Sequence, residues 1–83
     1  MRLDKYLKVS RLMKRRTVAN EACDTGRVTV NSKPARASYE VKPGDILAIS
    51  LGAHTVRVRV SGIDEYATKA DASSMYEVLP EKD

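Results

Sequence analysis

Residues 2–31, RLDKYLKVSRLMKRRTVANEACDTGRVTVN, decide the fold of this 83-residue chain. Within them Leu3, Tyr6, Leu7 and Ser10 recur at i, i+3, i+4 and i+7, the spacing of one helix face. Arg2, Lys5, Lys8 and Arg11 drift round the opposite side. A second helix is predicted from Arg16 to Thr25, with Val18, Ala19, Ala22 and Cys23 turned inward and Gly26 as its stop. Arg27-Val28-Thr29-Val30 alternates and is β-branched, so the stretch ends by entering a strand.

Working outward, Asn31-Ser32 turns that strand back toward Lys33-Pro34-Ala35-Arg36-Ala37. Val41-Lys42-Pro43-Gly44-Asp45 has Pro at the second and Gly at the third position of a turn, and it launches the apolar run Ile46 to Leu51. Gly52-Ala53-His54 then turns into Thr55 to Val60, where Val56, Val58 and Val60 face inward and Arg57 and Arg59 outward. Residues 64–74 lack apolar periodicity and read as a loop with one helical turn. Met75 to Leu79 reads as a closing strand stopped by Pro80. The expected fold is α+β, two short N-terminal helices packed on a small antiparallel sheet. Residues 1–83 form one domain in this reading, with a core motif over 2–50 and C-terminal strands and an acidic region over 55–83.

Size and composition narrow the function. A chain this short buries only about 60% of its unfolded surface. It has no Phe or Trp, so Leu, Val, Ile, Met, Ala and Tyr must build the core, with little volume left for a deep cleft. The net charge of +4 hides an asymmetry: residues 1–37 carry ten Lys/Arg against three Asp/Glu, and residues 61–83 carry two against six. A basic head of this kind attracts polyanions. Cys23 is the only cysteine, which excludes an internal disulfide and suits a reducing compartment. The charged start shows no signal peptide and no apolar run follows it, so a cytoplasmic protein with no membrane partner is expected.

Catalysis fails on inventory. His54 is the only histidine, in a turn with no cysteine or paired carboxylate near it, and Cys23 lies on an apolar helix face. No phosphate loop, nucleophile elbow or zinc spacing is present, so no enzyme activity, cofactor or metal is expected. What remains is binding. A charge stripe on a helix is ordinarily a solvated face, but here Lys5, Lys8 and Arg11 run on into Lys14-Arg15-Arg16 with only Asp4 to offset them. Those three cations stand where a helix N-terminus favours an acid or a capping side chain. Thr17 could cap a slightly shorter helix; alternatively, free N–H groups beside arginines make a phosphate site. The tyrosines, Tyr6, Tyr39, Tyr66 and Tyr76, are scattered and not paired on neighbouring strands, which argues against a base-stacking platform. Folded RNA, recognised by shape and backbone, is the expected ligand.

The ordered fragments Arg2-Leu3-Asp4-x-x-Leu7, Arg16-x-x-Ala19, Gly26-x-Val28-x-Val30-Asn31 and Gly44-Asp45-x-Leu47 resemble the small RNA-binding domain named after ribosomal protein S-four, over residues 2 to 50. That family's αL-type motif presents its helical face to structured RNA. The chain departs from the family pattern in having Arg15 before the arginine that opens the second helix, where serine is usual, and Ser32 after Val-Asn, where glycine is usual. The first change adds a cation; the second sets a residue in a turn that glycine tolerates better.

In its length and its Lys14-Arg15-Arg16-Thr17 run, the chain resembles the stand-alone ribosome quality-control branch of the family, with the small heat-shock proteins that carry the same domain as further relatives. The resemblance implies that Arg2 and Arg16 contact phosphates. Asp4 then either orients one of these arginines through an ion pair or serves as a favourable acid in the first helical turn. Lys5, Lys8, Arg11, Lys14 and Arg15 are the expected supporting shell. The implied partners are large-subunit rRNA, P-site peptidyl-tRNA on the obstructed large ribosomal subunit, and RqcH during alanine tailing, with this chain a monomer. Two other readings stay open at this level: a constitutive ribosome assembly or structural protein, and a regulatory module that uses its acidic region on a protein partner. Arg57 and Arg59 either extend the RNA surface or are merely solvated.

Overall fold

The computed structural model describes residues 1–63 and 74–79. Two helices, α1 (Leu3–Val9) and α2 (Arg16–Asp24), precede five strands: β1 (Val28–Val30), β2 (Lys33–Pro34), β3 (Ile46–Leu51), β4 (His54–Val60) and β5 (Tyr76–Leu79). The strands form one antiparallel sheet in the order β2-β1-β3-β4-β5. This is the expected α+β architecture.

Alternation sets the register. Val28 and Val30 lie opposite Ile49 and Leu47, which in turn lie opposite Val56 and Val58. One face of the sheet is therefore an apolar row, and the helices cover it. From α1 come Leu3, Tyr6 and Leu7, each with no exposed surface, and from α2 come Ala19, Ala22 and Cys23. Small side chains at i, i+3 and i+4 let α2 approach closely. Each large apolar side chain so buried stabilises the fold by about 1.5–3 kcal/mol. The Tyr6 hydroxyl donates to the Met75 carbonyl at 2.8 Å, and the Ser61 and Gly62 N–H groups donate to the same carbonyl. Burial, with the neighbouring Tyr76, pushes the Tyr6 phenol well above its ordinary pKa.

The helix ends are closed by different devices. At the end of α2, Gly26 has φ +79° and donates to Cys23, while Arg27 donates to Ala22, a complete Schellman closure. At the end of α1 the corresponding left-handed position holds Arg11 at φ +64°, donating to the Lys8 carbonyl. A non-glycine residue there is strained by roughly 1 kcal/mol. The start of α1 has no side-chain cap. Its Leu3 and Asp4 N–H groups donate instead to the Tyr39 and Ala37 carbonyls, and Val41 N–H donates to the Met1 carbonyl. Segment 37–41 is thereby fastened to the beginning of the helix.

The turns follow their sequence signals. Gly44 has φ +94° and Asp45 N–H donates to the Lys42 carbonyl, as a type II turn with Pro43 at its second position requires. Asn31 and Ser32 have φ +51° and +72°, the two-residue primed turn of a tight hairpin. Ser32 thus occupies the conformation that glycine takes more easily.

Several expectations shift. Val18 is not inward but 51% exposed, because α1 and the sheet cover only the Ala19-Ala22-Cys23 strip of α2. Thr17 lies inside α2, and Arg15 is the N-cap residue, without a capping side chain. β2 holds only Lys33 and Pro34, and His54 opens β4 opposite Leu51 in place of sitting in the turn. The loop expected over 64–74, except its last residue, and the Pro80 stop lie outside the described residues.

Candidate nucleic-acid interface

Asp4 is the organising group of the helical face. It sits in the first turn of α1 with 2% of its surface exposed. Its Oδ1 accepts the Lys5 N–H at 2.8 Å and faces Arg2 Nε at 3.3 Å. Its Oδ2 accepts from Asn20 Nδ2 at 3.2 Å and from Arg16 Nε at 3.4 Å. Helical periodicity explains the last two, since Arg16 and Asn20 are one turn apart on α2. Burial by itself raises the Asp4 pKa; the hydrogen bonds from Asn20, Lys5 N–H and Arg16, together with the Arg16 charge, outweigh it and hold the carboxyl below its ordinary value.

One fixed carboxylate therefore aligns two guanidinium groups whose side chains remain half exposed. Arg16 meets the carboxylate through Nε, so its terminal amino groups have donors to spare for an outside acceptor. Such pre-set forks match the oxygens of a phosphate. Beside them, α2 starts with no side-chain cap and no acid in its first turn, so its positive dipole end reinforces the cations.

The other sequence-predicted residues distribute around this centre. Lys8, Arg11, Lys14 and Arg15 are exposed, and Lys5 is half-buried. Arg2 and Arg16 both touch Asp4; Lys14 and Arg15 instead border a hollow walled by Leu12, Met13, Val18 and Leu51. Two polar residues escaped the sequence reading. Asn20 is signalled only by its one-turn spacing from Arg16. Arg36 shares a hollow with Arg2, Asn20, Asp24 and Ser38 through the docking of segment 37–41, a contact with no local signal.

Cys23 is buried, and burial, with the Asp4 and Asp24 carboxylates, pushes its thiol up to about 11, which makes it a poor nucleophile near neutral pH. Among the described residues no group of three or more His, Cys, Asp or Glu could hold a metal ion, and no helix is long and apolar enough to cross a membrane.

A carboxylate-ordered cation face on an α+β scaffold defines a small nucleic-acid-binding module. Comparison with known proteins agrees. The family model of the S4 domain matches residues 1–47. A Bacillus subtilis protein named RQC P-site tRNA stabilizing factor is 49% identical over 99% of this chain and 95% of its own length. A protein of the same name from Halalkalibacterium halodurans is 51% identical over 99% of this chain and 93% of its own. Among solved structures, a trimeric structure of Heat Shock Protein 15 from Vibrio cholerae superposes with a TM-score of 0.87 at 25% identity, covering 95% of this chain and 81% of that one. The chain belongs to the S4 domain family and, within it, to the group whose members from these two bacilli carry the name RQC P-site tRNA stabilizing factor.

Proposed function

We propose that this chain is a non-catalytic RNA-binding factor of ribosome-associated quality control. It binds large-subunit rRNA and the P-site peptidyl-tRNA of an obstructed large subunit in the cytoplasm, and so supports alanine tailing by RqcH. The observation that carries the reading is the Asp4-ordered pair Arg2 and Arg16 on a face flanked by Lys8, Arg11, Lys14 and Arg15. The whole-length likeness to factors named for stabilising P-site tRNA supports the choice of RNA. Binding of this kind acts through position and charge. Phosphate contacts fix orientation without reading bases, and each released counterion makes affinity fall with salt.

The test is recovery of the tagged protein from cells, fractionated by sedimentation, in the original and Arg2→Ala/Arg16→Ala forms. Free large subunits carrying peptidyl-tRNA are expected with the original and absent with the double variant. Recovery on intact translating ribosomes would replace the reading with a constitutive ribosomal role, and recovery of no ribosomal RNA would overturn it. Alanine tails on stalled chains, assayed in the same cells, should disappear with the double variant while RqcH remains present. Tails that persist would remove RqcH from the reading.

A further inference from the structure

Arg36 stands apart from the cations on the helices and yet opens toward them. It is exposed, and among the described residues no hydrogen bond or ion pair engages its guanidinium. The turn it opens is nevertheless held at several points. The Tyr39 N–H donates to the Arg36 carbonyl at 3.0 Å, closing a turn over 36–39. The next residue, Ala37, donates to Asp24 Oδ1 at 3.3 Å and accepts from the Asp4 N–H at 3.2 Å. At the turn's end the Tyr39 hydroxyl donates to Asp45 Oδ2 at 3.0 Å. A cation with no partner on a pinned turn is a ligand without its counter-ion. Free surface arginines more often sit on loops that move with them.

The turn places Arg36 in the wall of a hollow whose other walls include Arg2, Asn20 and Ser38. Guanidinium, amide and hydroxyl groups are the donors that bind phosphate oxygens. Asp24 also lines the hollow and opposes an anion, but one of its oxygens already takes the Ala37 N–H, and two guanidinium groups face it. Beyond Arg36 a second hollow continues past Lys33 and Tyr39, so the positive surface does not end at the turn.

We propose that the hollow between Arg2 and Arg36 seats a backbone phosphate of the bound RNA, with Arg36 as a further phosphate ligand that carries the RNA surface from the helices onto the 36–39 turn. This rests on the RNA-binding reading above and adds to it a site off the helical face. Since Arg2 lies in both places, tethered to Asp4 on one side and bordering this hollow on the other, it joins the two parts of one continuous track.

The experiment is fluorescence anisotropy of labelled bacterial tRNA, and in parallel binding to purified large subunits, across about 50 to 200 mM salt. The proteins are the original, Arg36→Ala, Arg36→Lys, Arg16→Ala and, as a control on the exposed side of β4, Arg59→Ala, whose guanidinium pairs with Glu77 at 3.8 Å. Arg36→Ala is expected to weaken binding several-fold and to lower the slope of log affinity against log salt by about 1, with Arg36→Lys restoring the slope. The RNA on which this appears is the one that occupies the hollow. Unchanged affinity and slope on both RNAs, with binding still lost in Arg16→Ala, would overturn the site and leave the function standing. A weaker affinity at unchanged slope, or a lowered melting temperature in Arg36→Ala, would make Arg36 a structural residue and overturn the proposal equally. If Arg16→Ala also binds like the original, the RNA face itself is wrong.

Discussion

Two aspartates are buried among the described residues, and they are held in opposite ways. Asp45, 9% exposed, takes only uncharged donors: Asn31 Nδ2 at 3.2 Å, the Tyr39 hydroxyl at 3.0 Å and the Lys42 N–H at 3.0 Å. All of them belong to the turns around β1 and β3, and none of the donor groups carries a charge, although the Tyr39 bond also pins the end of the 36–39 turn. Asp4, 2% exposed, holds two arginines whose side chains are half in water. A carboxylate tied to neutral donors knits a turn, whereas one tied to exposed guanidinium groups sets their direction at a surface. The same residue type thus serves the scaffold in one place and the proposed RNA face in another.

The comparison can be broken from either side. Asp45→Ala removes three hydrogen bonds from partly buried donors and should cost about 2 kcal/mol of stability, roughly 10 °C in Tm, by thermal denaturation. RNA affinity of the molecules that remain folded should fall by no more than the several-fold share of Arg36, whose turn the Tyr39 bond pins. If it falls as far as stability does, the division into scaffold and ligand carboxylates is wrong.

Asp4→Asn should show the converse pattern. Arg2 and Arg16 are exposed enough to rehydrate, so the stability loss should stay near 1 kcal/mol. Freeing two ordered arginines costs about 0.5–1.5 kcal/mol each on binding, so RNA affinity should drop about tenfold even though an opposing charge has gone. Tighter binding by Asp4→Asn in a filter assay would mean that charge outweighs orientation. The same carboxylate predicts a pH response. Its pKa is lowered from 3.8 in the folded state, so its contribution is complete above 3.8 and is lost as pH falls through the lower folded value. Acid titration of Asp4→Asn by circular dichroism should therefore lack part of the original protein's destabilisation below pH 3.8.

The smallest effect sharpens the contrast. Ser32→Gly relieves a positive φ in the hairpin turn beside Asn31 and should raise stability by up to about 1 kcal/mol with RNA binding unchanged. Arg11, outside that hairpin turn, also has a positive φ and lies among the cations at the end of α1. Destabilisation by Ser32→Gly would show that the serine makes a contact worth more than the strain.

Sequence periodicity made the frame legible. The i, i+3, i+4 spacing of Leu3, Tyr6 and Leu7, the alternation of β4 and the Pro43-Gly44 turn are local signals, and local chemistry decides them. Arg2, Asp4 and Arg16 could be named because family spacing marks them. Val18 misled because apolarity says nothing about how wide a strip the rest of the fold will cover. Asn20 and Arg36 were missed for the same underlying reason. Their neighbours arrive from 16 and 34 residues away, Asp4 for the first and Arg2 for the second, through docking that no short window contains.

The bond from the Tyr6 hydroxyl to the Met75 carbonyl joins residues 69 positions apart. Loop-closure entropy must be paid across that whole separation before α1 is fully seated. During synthesis, every cation of the helical face leaves the ribosome early, while the carbonyl that receives Tyr6 is made among the late residues. α1 is thus made well before the carbonyl that completes its seating, and a nascent chain carries the charges of the proposed RNA face before it has the whole platform beneath them.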